Sequence, residues 1–426
     1  MTYEESLAYI SKLGRFGMKL GTERTHAILD HLGNPERGLR GALIAGTNGK
    51  GSTAACLDSI LRAAGRNVGF MPKPHLVSYT ERIQVNGVPI SERDFVQVLD
   101  ELKPALDATT IETGQATEFE MLTAMAIAYL APRIDRLVCE VGLGGRLDAT
   151  NALDLGVAMI TNVDLDHQKY LGDTIEQIAH EKAAIIKPGN QVITGCEGAA
   201  LEIVQEHARK AESSLWRLGR EIRLESTSRG WDGHSMDVTV EGREYSKLSL
   251  PLVGDYQPAN AALAVAAAVA LGDATDDSVR RGLAATIWPG RLQLIAHAPR
   301  VILDGGHNPA AMTKSGAALR HLIGSERLVT VFAMLSERDP VQLLTALRTV
   351  DPAAAVFTEP GSAGGHAISA ERLAAVYGPG GEAVMPASAA LERARELAGP
   401  DGNVLVCGSL YLVGEILAQT SEMGGR

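Results

Sequence analysis

A lysine surrounded by glycines lies in the segment 45–52, which reads AGTNGKGS and follows a short apolar run. Gly46 and Gly49 allow the backbone to turn tightly, so that successive N–H groups can face an anion. Lys50 would supply a positive charge to the outer phosphates of a nucleotide, and Ser52 would open the next helix at its positive end. The spacing departs from the common GxxxxGK[ST] loop, because the first glycine is missing and a glycine separates the lysine from the hydroxyl. The segment predicts a nucleotide-binding loop and leaves its class open.

An acidic residue ends a second apolar stretch. The segment 136–150 reads RLVCEVGLGGRLDAT, and Glu140 stands at the end of its strand-like half. Proteins with a phosphate loop keep a carboxylate for Mg²⁺ at such a place. The glycines that follow would let a ligand approach the backbone, while Arg146 and Asp148 add a charge pair. Glu140 is therefore a candidate metal ligand.

His167 and Lys182 lie in one segment that begins as a predicted strand and continues as a predicted helix. A lone histidine is more often a satisfied polar residue than a ligand, and a helix lysine is usually solvated. Lys182, however, precedes the four apolar residues 183–186, which predicts that it lies at the polar edge of a buried helix. Lysines in such places shift their pKa and can take part in chemistry.

Apolar, strand-like runs alternate with helix-like segments over most of the chain, for example GALIAG, RLVCEVG, GVAMITNV and NQVITG. This alternation predicts a mainly parallel sheet covered by helices. Between residues 221 and 252 the pattern changes to alternating β-type residues, which predicts a small antiparallel addition. After a turn-rich segment at 289–299, further apolar runs predict a smaller Rossmann-like sheet. The sequence thus predicts two α/β domains, at 1–290 with the phosphate loop and at 291–426.

The composition is typical of a globular protein, since 45% of the 426 residues are hydrophobic and 21% are charged. A net charge of -11 argues against nucleic acid as a main partner, so an anionic substrate needs a local cluster of Lys and Arg. No apolar run is long enough to cross a bilayer, and the acidic first segment is unlike a signal peptide. Four widely spaced cysteines match free thiols in a reducing compartment. We expect a cytoplasmic monomer that binds neither nucleic acid nor a membrane.

Five segments follow one another in an order that is typical of a known family: GTNGKGS, PHLVSYTERIQVNG, EVGLGGRLDATN, ITNVDLDHQKYLGDTIEQIAHEKA and DGGHNPAA. Together they resemble the folylpolyglutamate synthase/dihydrofolate synthase family, a branch of the ATP-dependent Mur-type amide ligases. The third and fourth segments narrow the resemblance to the folate branch. The resemblance implies an enzyme that joins L-glutamate to dihydropteroate or a reduced folate, with ATP, one or two Mg²⁺ ions and a monovalent cation.

The resemblance also implies roles for individual residues. Lys182 matches a lysine that the family carries as a carbamate formed with CO₂, which turns a cation into an anionic oxygen ligand. The residues implied for ATP are Gly46, Thr47, Asn48, Gly49, Lys50, Gly51, Ser52, Asn260, Arg291 and Asp304. The implied Mg²⁺ ligands are Ser52, Glu140, His167 and Lys182, and the last three form the implied catalytic set with Lys50. The candidate substrate residues are Lys73, Arg82, Thr117, Phe119, Asp148, Ala149, His307 and Ser409, of which Thr117, Phe119, Asp148 and Ala149 match the pterin-binding positions of the family.

Three positions depart from the family pattern. The family usually has serine where this chain has Lys73, and that hydroxyl helps to bind Mg²⁺, whereas a protonated lysine cannot ligate a cation. Either one metal site is altered, or Lys73 replaces a metal charge by pairing directly with phosphate. Tyr256 stands where the family has a histidine, and Ala183 replaces a glycine.

The implied reaction activates a carboxylate. Transfer of the γ-phosphoryl group of ATP gives an acyl phosphate, which the amine of L-glutamate can attack. A cleft between two domains would hold both anions and exclude water. We expect a bifunctional enzyme that adds the first glutamate and also extends reduced folates. Three other interpretations stay open: a cell-wall Mur-type ligase, a GTPase-like switch that reads guanine through TNVD, and an inactive nucleotide-binding module.

Overall fold

The largest sheet is built around the strand that precedes the phosphate loop. The computed structural model describes residues 1–14, 21–336 and 338–424. Within these residues the sheet has the order β4-β3-β2-β5-β1-β6-β7-β8, with parallel pairing from β2 to β8 and antiparallel pairing of β3 and β4. Its strands are β1 (Gly41–Ala45), β2 (Val68–Met71), β3 (Gln84–Val85), β4 (Val88–Pro89), β5 (Arg136–Glu140), β6 (Gly156–Ile160), β7 (Gln191–Thr194) and β8 (Ser214–Arg217).

Helices cover both faces of this sheet. They are α1 (Tyr3–Gly14), α2 (Glu23–His31), α3 (Lys50–Ala63), α4 (Glu92–Thr113), α5 (Glu118–Leu130), α6 (Gln168–Leu171), α7 (Ile175–Ala183), α8 (Gly198–Lys210), α9 (Gln257–Ala270) and α10 (Asp276–Ala284). Successive residues of a strand point to opposite faces, so Ala42 and Ile44 pack with α3 and α9 while Leu43 and Ala45 pack with α4 and α5. Burial on both faces explains why β1 is an unbroken apolar run.

A small antiparallel sheet is attached to the first one through α9. Its order is β11-β10-β9, and its strands are β9 (Ile222–Ser228), β10 (His234–Val240) and β11 (Arg243–Leu250). Buried residues alternate with exposed or half-buried ones along β10, and its buried side chains join the core that contains α9. The predicted antiparallel addition between residues 221 and 252 is therefore confirmed.

The remaining elements form a second α/β unit. Its sheet has the order β12-β13-β17-β14-β15-β16 and is parallel except for β12. The strands are β12 (Gln293–His297), β13 (Arg300–Leu303), β14 (Leu328–Phe332), β15 (Ala354–Phe357), β16 (Gly381–Ala383) and β17 (Asn403–Cys407), and the helices are α11 (Pro309–Ile323), α12 (Pro340–Arg348), α13 (Ala370–Tyr377), α14 (Ala387–Ala398) and α15 (Leu410–Gly424). The predicted fold class is confirmed, while the exact boundary at 290/291 stays a prediction. No helix within the described ranges is both long and apolar enough to cross a membrane.

The carboxyl ends of the parallel strands in both sheets converge on one cleft. In the first sheet β2, β5, β1 and β6 are neighbours, and Lys73, Glu140 and the phosphate loop lie at the ends of the first three. In the second sheet, β13 and β17 lead into the segments 304–307 and 408–409. Ligands of open α/β sheets bind at such edges.

Candidate active site

A cavity of about 470 Å³ is lined by residues of both α/β units. Most of the residues implied by the sequence meet in its wall. Those that do are Gly46, Thr47, Asn48, Gly49, Lys50, Gly51, Ser52, Lys73, Arg82, Phe119, Glu140, His167, Lys182, Asn260, Arg291, Asp304, His307 and Ser409. Positions as distant in the sequence as 46 and 409 therefore contribute to one site.

The phosphate loop has the conformation that anion binding needs. Gly49 has a φ of 81° and precedes α3, whose first turn receives no side-chain cap. A Cβ atom at Gly49 would lie 2.4 Å from Asn260 Oδ1, so a larger residue would collide there. Uncapped N–H groups at the start of a helix are ready donors for a phosphate. The loop therefore fits the nucleotide phosphates that the sequence predicted.

Two lysines converge on one carbonyl of the loop. Lys50 Nζ donates to Gly46 O at 3.0 Å and to Thr47 O at 3.2 Å, and Lys182 Nζ donates to the same Gly46 O at 3.0 Å. Burial lowers the pKa of Lys182 to about 7, and the charge of Lys50 adds to the effect. Lys182 was predicted at the edge of a buried helix, and only 4% of it is exposed.

Glu140 supplies a buried carboxylate at the end of β5. Its Oε2 accepts the backbone N–H of Lys73 at 3.0 Å. Burial raises the pKa of this carboxyl group, against the opposing charge of Lys50. The described residues contain no group of three or more His, Cys, Asp or Glu side chains that could hold a metal ion. One carboxylate and the Ser52 hydroxyl in the same wall still suit Mg²⁺, which is commonly bound by one or two carboxylates with phosphate oxygens and water.

Asp166 joins the two α/β units. Its Oδ1 accepts Arg338 Nη1 at 2.8 Å, and its Oδ2 accepts Asn308 Nδ2 at 2.8 Å. Asn308 also donates to Asn48 Oδ1 of the phosphate loop at 3.0 Å. Burial alone would raise the pKa of Asp166, but the charges of Arg338, His167 and His307 and the hydrogen bond from Asn308 together lower it to about 2. The carboxylate therefore stays charged and paired.

His167 contacts the same arginine, Arg338. Arg338 Nη2 donates to His167 Nε2 at 3.3 Å, so the lone pair of that nitrogen faces a cation of the second unit. A metal ion could use Nε2 only after Arg338 moves, and the role of His167 as a ligand stays a prediction. Asp166, Asn308 and Arg338 were not among the residues predicted from the sequence. The first two lie in the quoted DLDH and DGGHNP segments, whereas Arg338 lies in no motif.

The second unit presents an acid, Asp304, and a base, His307, to the cavity. Asp304 accepts the N–H groups of Leu292 at 3.1 Å and Gly306 at 2.9 Å, and burial raises its pKa. His307 Nδ1 donates to Gly305 O at 2.8 Å, and burial lowers its pKa to about 4. His307 is therefore neutral near pH 7, and its Nε2 is the nitrogen that can accept a proton.

Three of the residues implied for the pterin do not line the cavity. Thr117 caps α5, where its Oγ1 accepts the N–H of Glu120 at 3.3 Å. Asp148 accepts the N–H groups of Leu143 at 2.8 Å and Thr150 at 3.0 Å. Ala149 follows in a buried turn. Their polar groups serve local structure here, and their contact with a substrate stays a prediction.

Comparison with known proteins identifies the family. The Mur ligase middle domain matches residues 44–268, and the glutamate ligase domain of Mur ligases matches residues 290–410. A dihydrofolate synthase/folylpolyglutamate synthase of Bacillus subtilis is 35% identical over 359 residues, which span 82% of this chain and 83% of that protein. The chain belongs to the folylpolyglutamate synthase/dihydrofolate synthase family.

Solved structures of this family share the whole fold. Folylpolyglutamate synthase of Mycobacterium tuberculosis, solved with ADP and AMPPCP, is 33% identical with a TM-score of 0.91, covering 98% of this chain and 99% of that one. Escherichia coli FolC, solved with DHPP and ADP, is 31% identical with a TM-score of 0.88, covering 98% of both chains. The predicted family and α/β architecture are therefore confirmed, and the folylpolyglutamate synthase/dihydrofolate synthase fold spans nearly the whole chain.

Proposed function

We propose that the chain is an ATP-dependent ligase that joins the carboxyl group of dihydropteroate or a reduced folate to the amine of L-glutamate. One observation carries this proposal: a single cavity contains the phosphate loop and Glu140 of one unit together with Asp304 and His307 of the other. A nucleotide switch would not need the second unit in its site. The relatives that bind ADP and DHPP support the same substrates for this chain.

The loop and its lysine begin the reaction. Lys50 and the uncapped N–H groups of α3 hold the ATP phosphates near the carboxylate that is to be activated. The bond from the γ-phosphorus to the oxygen of ADP breaks, and a bond from that phosphorus to a carboxylate oxygen forms. Closure of the cleft keeps the acyl phosphate from water. The chain's own contribution is thus positioning and charge.

Residues of the second unit prepare L-glutamate for its attack on the acyl phosphate. The ammonium group of L-glutamate must lose a proton before its nitrogen can attack. His307 is neutral near pH 7 and, with Nδ1 donating to Gly305 O, has Nε2 free to accept that proton. Attack on the acyl carbon then forms the amide and releases phosphate. Arg291 and Ser409 line the same wall and would bind the anionic groups of the reactants.

Cations complete the proposed site. Mg²⁺, when bound, supplies positive charge that offsets the repulsion between ATP and the carboxylate. Ser52, Glu140, His167 and a carbamate on Lys182 are the proposed ligands. The carbamate forms when the neutral Nζ of Lys182 attacks CO₂, which makes a C–N bond and releases a proton. A monovalent cation is part of the same proposal. The chain is proposed to act as a monomer in the cytoplasm, and its four free, buried cysteines support a reducing compartment.

The proposal is tested by product formation. The enzyme is incubated with ATP, Mg²⁺ and L-glutamate, with dihydropteroate in one reaction and tetrahydrofolate in another. We expect ADP and one glutamylated product in both, no product with Lys50→Met, and wild-type rates with the exposed control Lys210→Met. ADP release with a cell-wall precursor but with neither pteridine would contradict the folate assignment. Hydrolysis of GTP without any acceptor would favour a switch.

A further inference from the structure

Lys73 lies between the phosphate loop and the predicted pterin side of the cavity. It comes two residues after β2, next to β5, and its backbone N–H is fixed to Glu140 Oε2 at 3.0 Å. Its side chain lines the same cavity as Lys50, Arg82 and Phe119. The hydrogen bond to the buried Glu140 carboxylate therefore fixes the backbone of Lys73, and its side chain lines the cavity.

The ammonium group of Lys73 has no anionic contact. Its Nζ is inaccessible to solvent and has no hydrogen-bond partner among the described residues, while it lies 3.9 Å from the centre of the Phe119 ring. Asp148 already accepts hydrogen bonds with both of its oxygens. A buried charge without a partner is costly, so such a group in a substrate cavity indicates that a bound anion completes it.

The same position does not fit a second divalent cation. An ammonium group cannot ligate a metal ion, and two positive groups a few ångströms apart repel each other strongly in a buried site. Glu140 Oε2 already accepts the backbone N–H of Lys73, and Glu140 is a proposed ligand of the first metal ion. The side chain of Lys73 thus offers a cation to an anion and no ligand to a second metal ion.

We propose that Lys73 takes the place of a second divalent cation by contacting both the carboxylate to be activated and the γ-phosphoryl group that moves to it. The proposal rests on the ligase function above. During transfer the bond to the ADP oxygen breaks and the bond to the carboxylate oxygen forms. Lys73 keeps its proton throughout and offsets the negative charge of the two groups as they approach. One metal ion per site is then sufficient.

Metal stoichiometry tests this proposal without turnover. Mn²⁺ bound per active site is measured by electron paramagnetic resonance in the complex with the non-hydrolysable analogue AMPPCP. We expect one Mn²⁺ in the wild type, two in Lys73→Ser, where a hydroxyl replaces the ammonium, and one in the exposed control Lys210→Ser. Two ions in the wild type, or one in Lys73→Ser, would overturn the proposal. A far-ultraviolet circular dichroism spectrum like that of the wild type shows that each variant is folded.

A second variant tests the charge of Lys73 separately from the volume of its side chain. Lys73→Met keeps the buried stem and removes the ammonium, so we expect kcat to fall about 30-fold or more while the KM for ATP changes less than about threefold. A kcat that stays at the wild-type value would overturn the proposal. If the wild type makes no amide with any carboxylate, the ligase function fails instead. The Mn²⁺ count still decides the role of Lys73 in that case.

Discussion

Lys182 is held in a state that suits reaction with CO₂. Its Nζ is buried against Gly46 O, and its pKa is lowered to about 7. CO₂ reacts with the neutral amine, which makes up about half of the lysine near pH 7 at such a pKa and less than about one part in a thousand at the ordinary pKa. Lys182 is therefore prepared to form a carbamate.

Carbamate formation is visible by ¹³C nuclear magnetic resonance. After equilibration with ¹³C-bicarbonate, we expect a carbamate signal from the wild type and none from Lys182→Met. The exposed control Lys210→Met should keep the signal. A signal that survives in Lys182→Met would show that another amine carries the group. Absence of a carbamate signal from the wild type would exclude a carbamate on Lys182 as a metal ligand.

His307 makes stability depend on pH. Burial lowers its folded pKa to about 4, with Arg338 and Arg291 opposing its protonation and Asp166 favouring it. The unfolded chain takes up this proton near pH 6.5, so it binds more protons than the folded chain between about pH 6.5 and 4. The unfolding free energy should therefore fall as the pH drops through this window. Urea unfolding at several pH values should show a shallower fall in His307→Gln. An equal slope in both proteins would contradict this account.

Among the elements, α5 depends on a cap that the sequence already contains. Thr117 and Glu120 form a reciprocal pair, in which Thr117 Oγ1 accepts the N–H of Glu120 and Glu120 Oε2 accepts the N–H of Thr117 at 2.8 Å. Thr117→Ala should lower the unfolding free energy by about 0.5–2 kcal/mol. Thr117→Ser keeps the hydroxyl, so it should retain nearly all of the unfolding free energy. Denaturant unfolding of the three proteins makes the comparison, and equal stabilities would refute the capping role.

The strands were easier to predict than the roles of single residues. GALIA and RLVCE are buried on both faces of a parallel sheet, which produces a continuous apolar run that is visible in the sequence. Thr117 carries the T-x-x-E signal of a helix cap, but the family resemblance directed attention to the pterin instead. A local hydrogen bond and a ligand contact need the same residue type, so the sequence cannot separate them.

In the molecule as a whole, contacts between the two α/β units could not be predicted from sequence patterns. Asp166 and Arg338 are 172 positions apart, and their contact depends on how two separate sheets face each other. Asn260 and His307 line the cavity wall, and both were found in the sequence because motifs of the family carry them. Arg338 lies in a segment without such a motif. Its place in the site follows only from the folded chain.

The pair of Asp166 and Arg338 should hold the cleft closed. Side-chain exposure is only 9% for Asp166 and 18% for Arg338, so loss of the arginine leaves a nearly buried carboxylate without its ion pair. Arg338→Met should open the cleft and reduce kcat by about tenfold or more, since closure excludes water from the acyl phosphate. Small-angle scattering with AMPPCP should show a larger radius of gyration than in the wild type. The exposed control Arg372→Met should match the wild type, and a compact, fully active Arg338→Met would exclude this role.

The proposed reaction transfers a phosphoryl group to a carboxylate before the amide forms, within one cavity. The most direct measurement uses dihydropteroate labelled with ¹⁸O in both carboxylate oxygens, together with ATP, Mg²⁺ and L-glutamate. An acyl phosphate requires that one carboxylate oxygen leaves with the phosphorus. The account predicts inorganic phosphate that carries one ¹⁸O atom per amide formed, seen by mass spectrometry. Amide formation with unlabelled phosphate would contradict it.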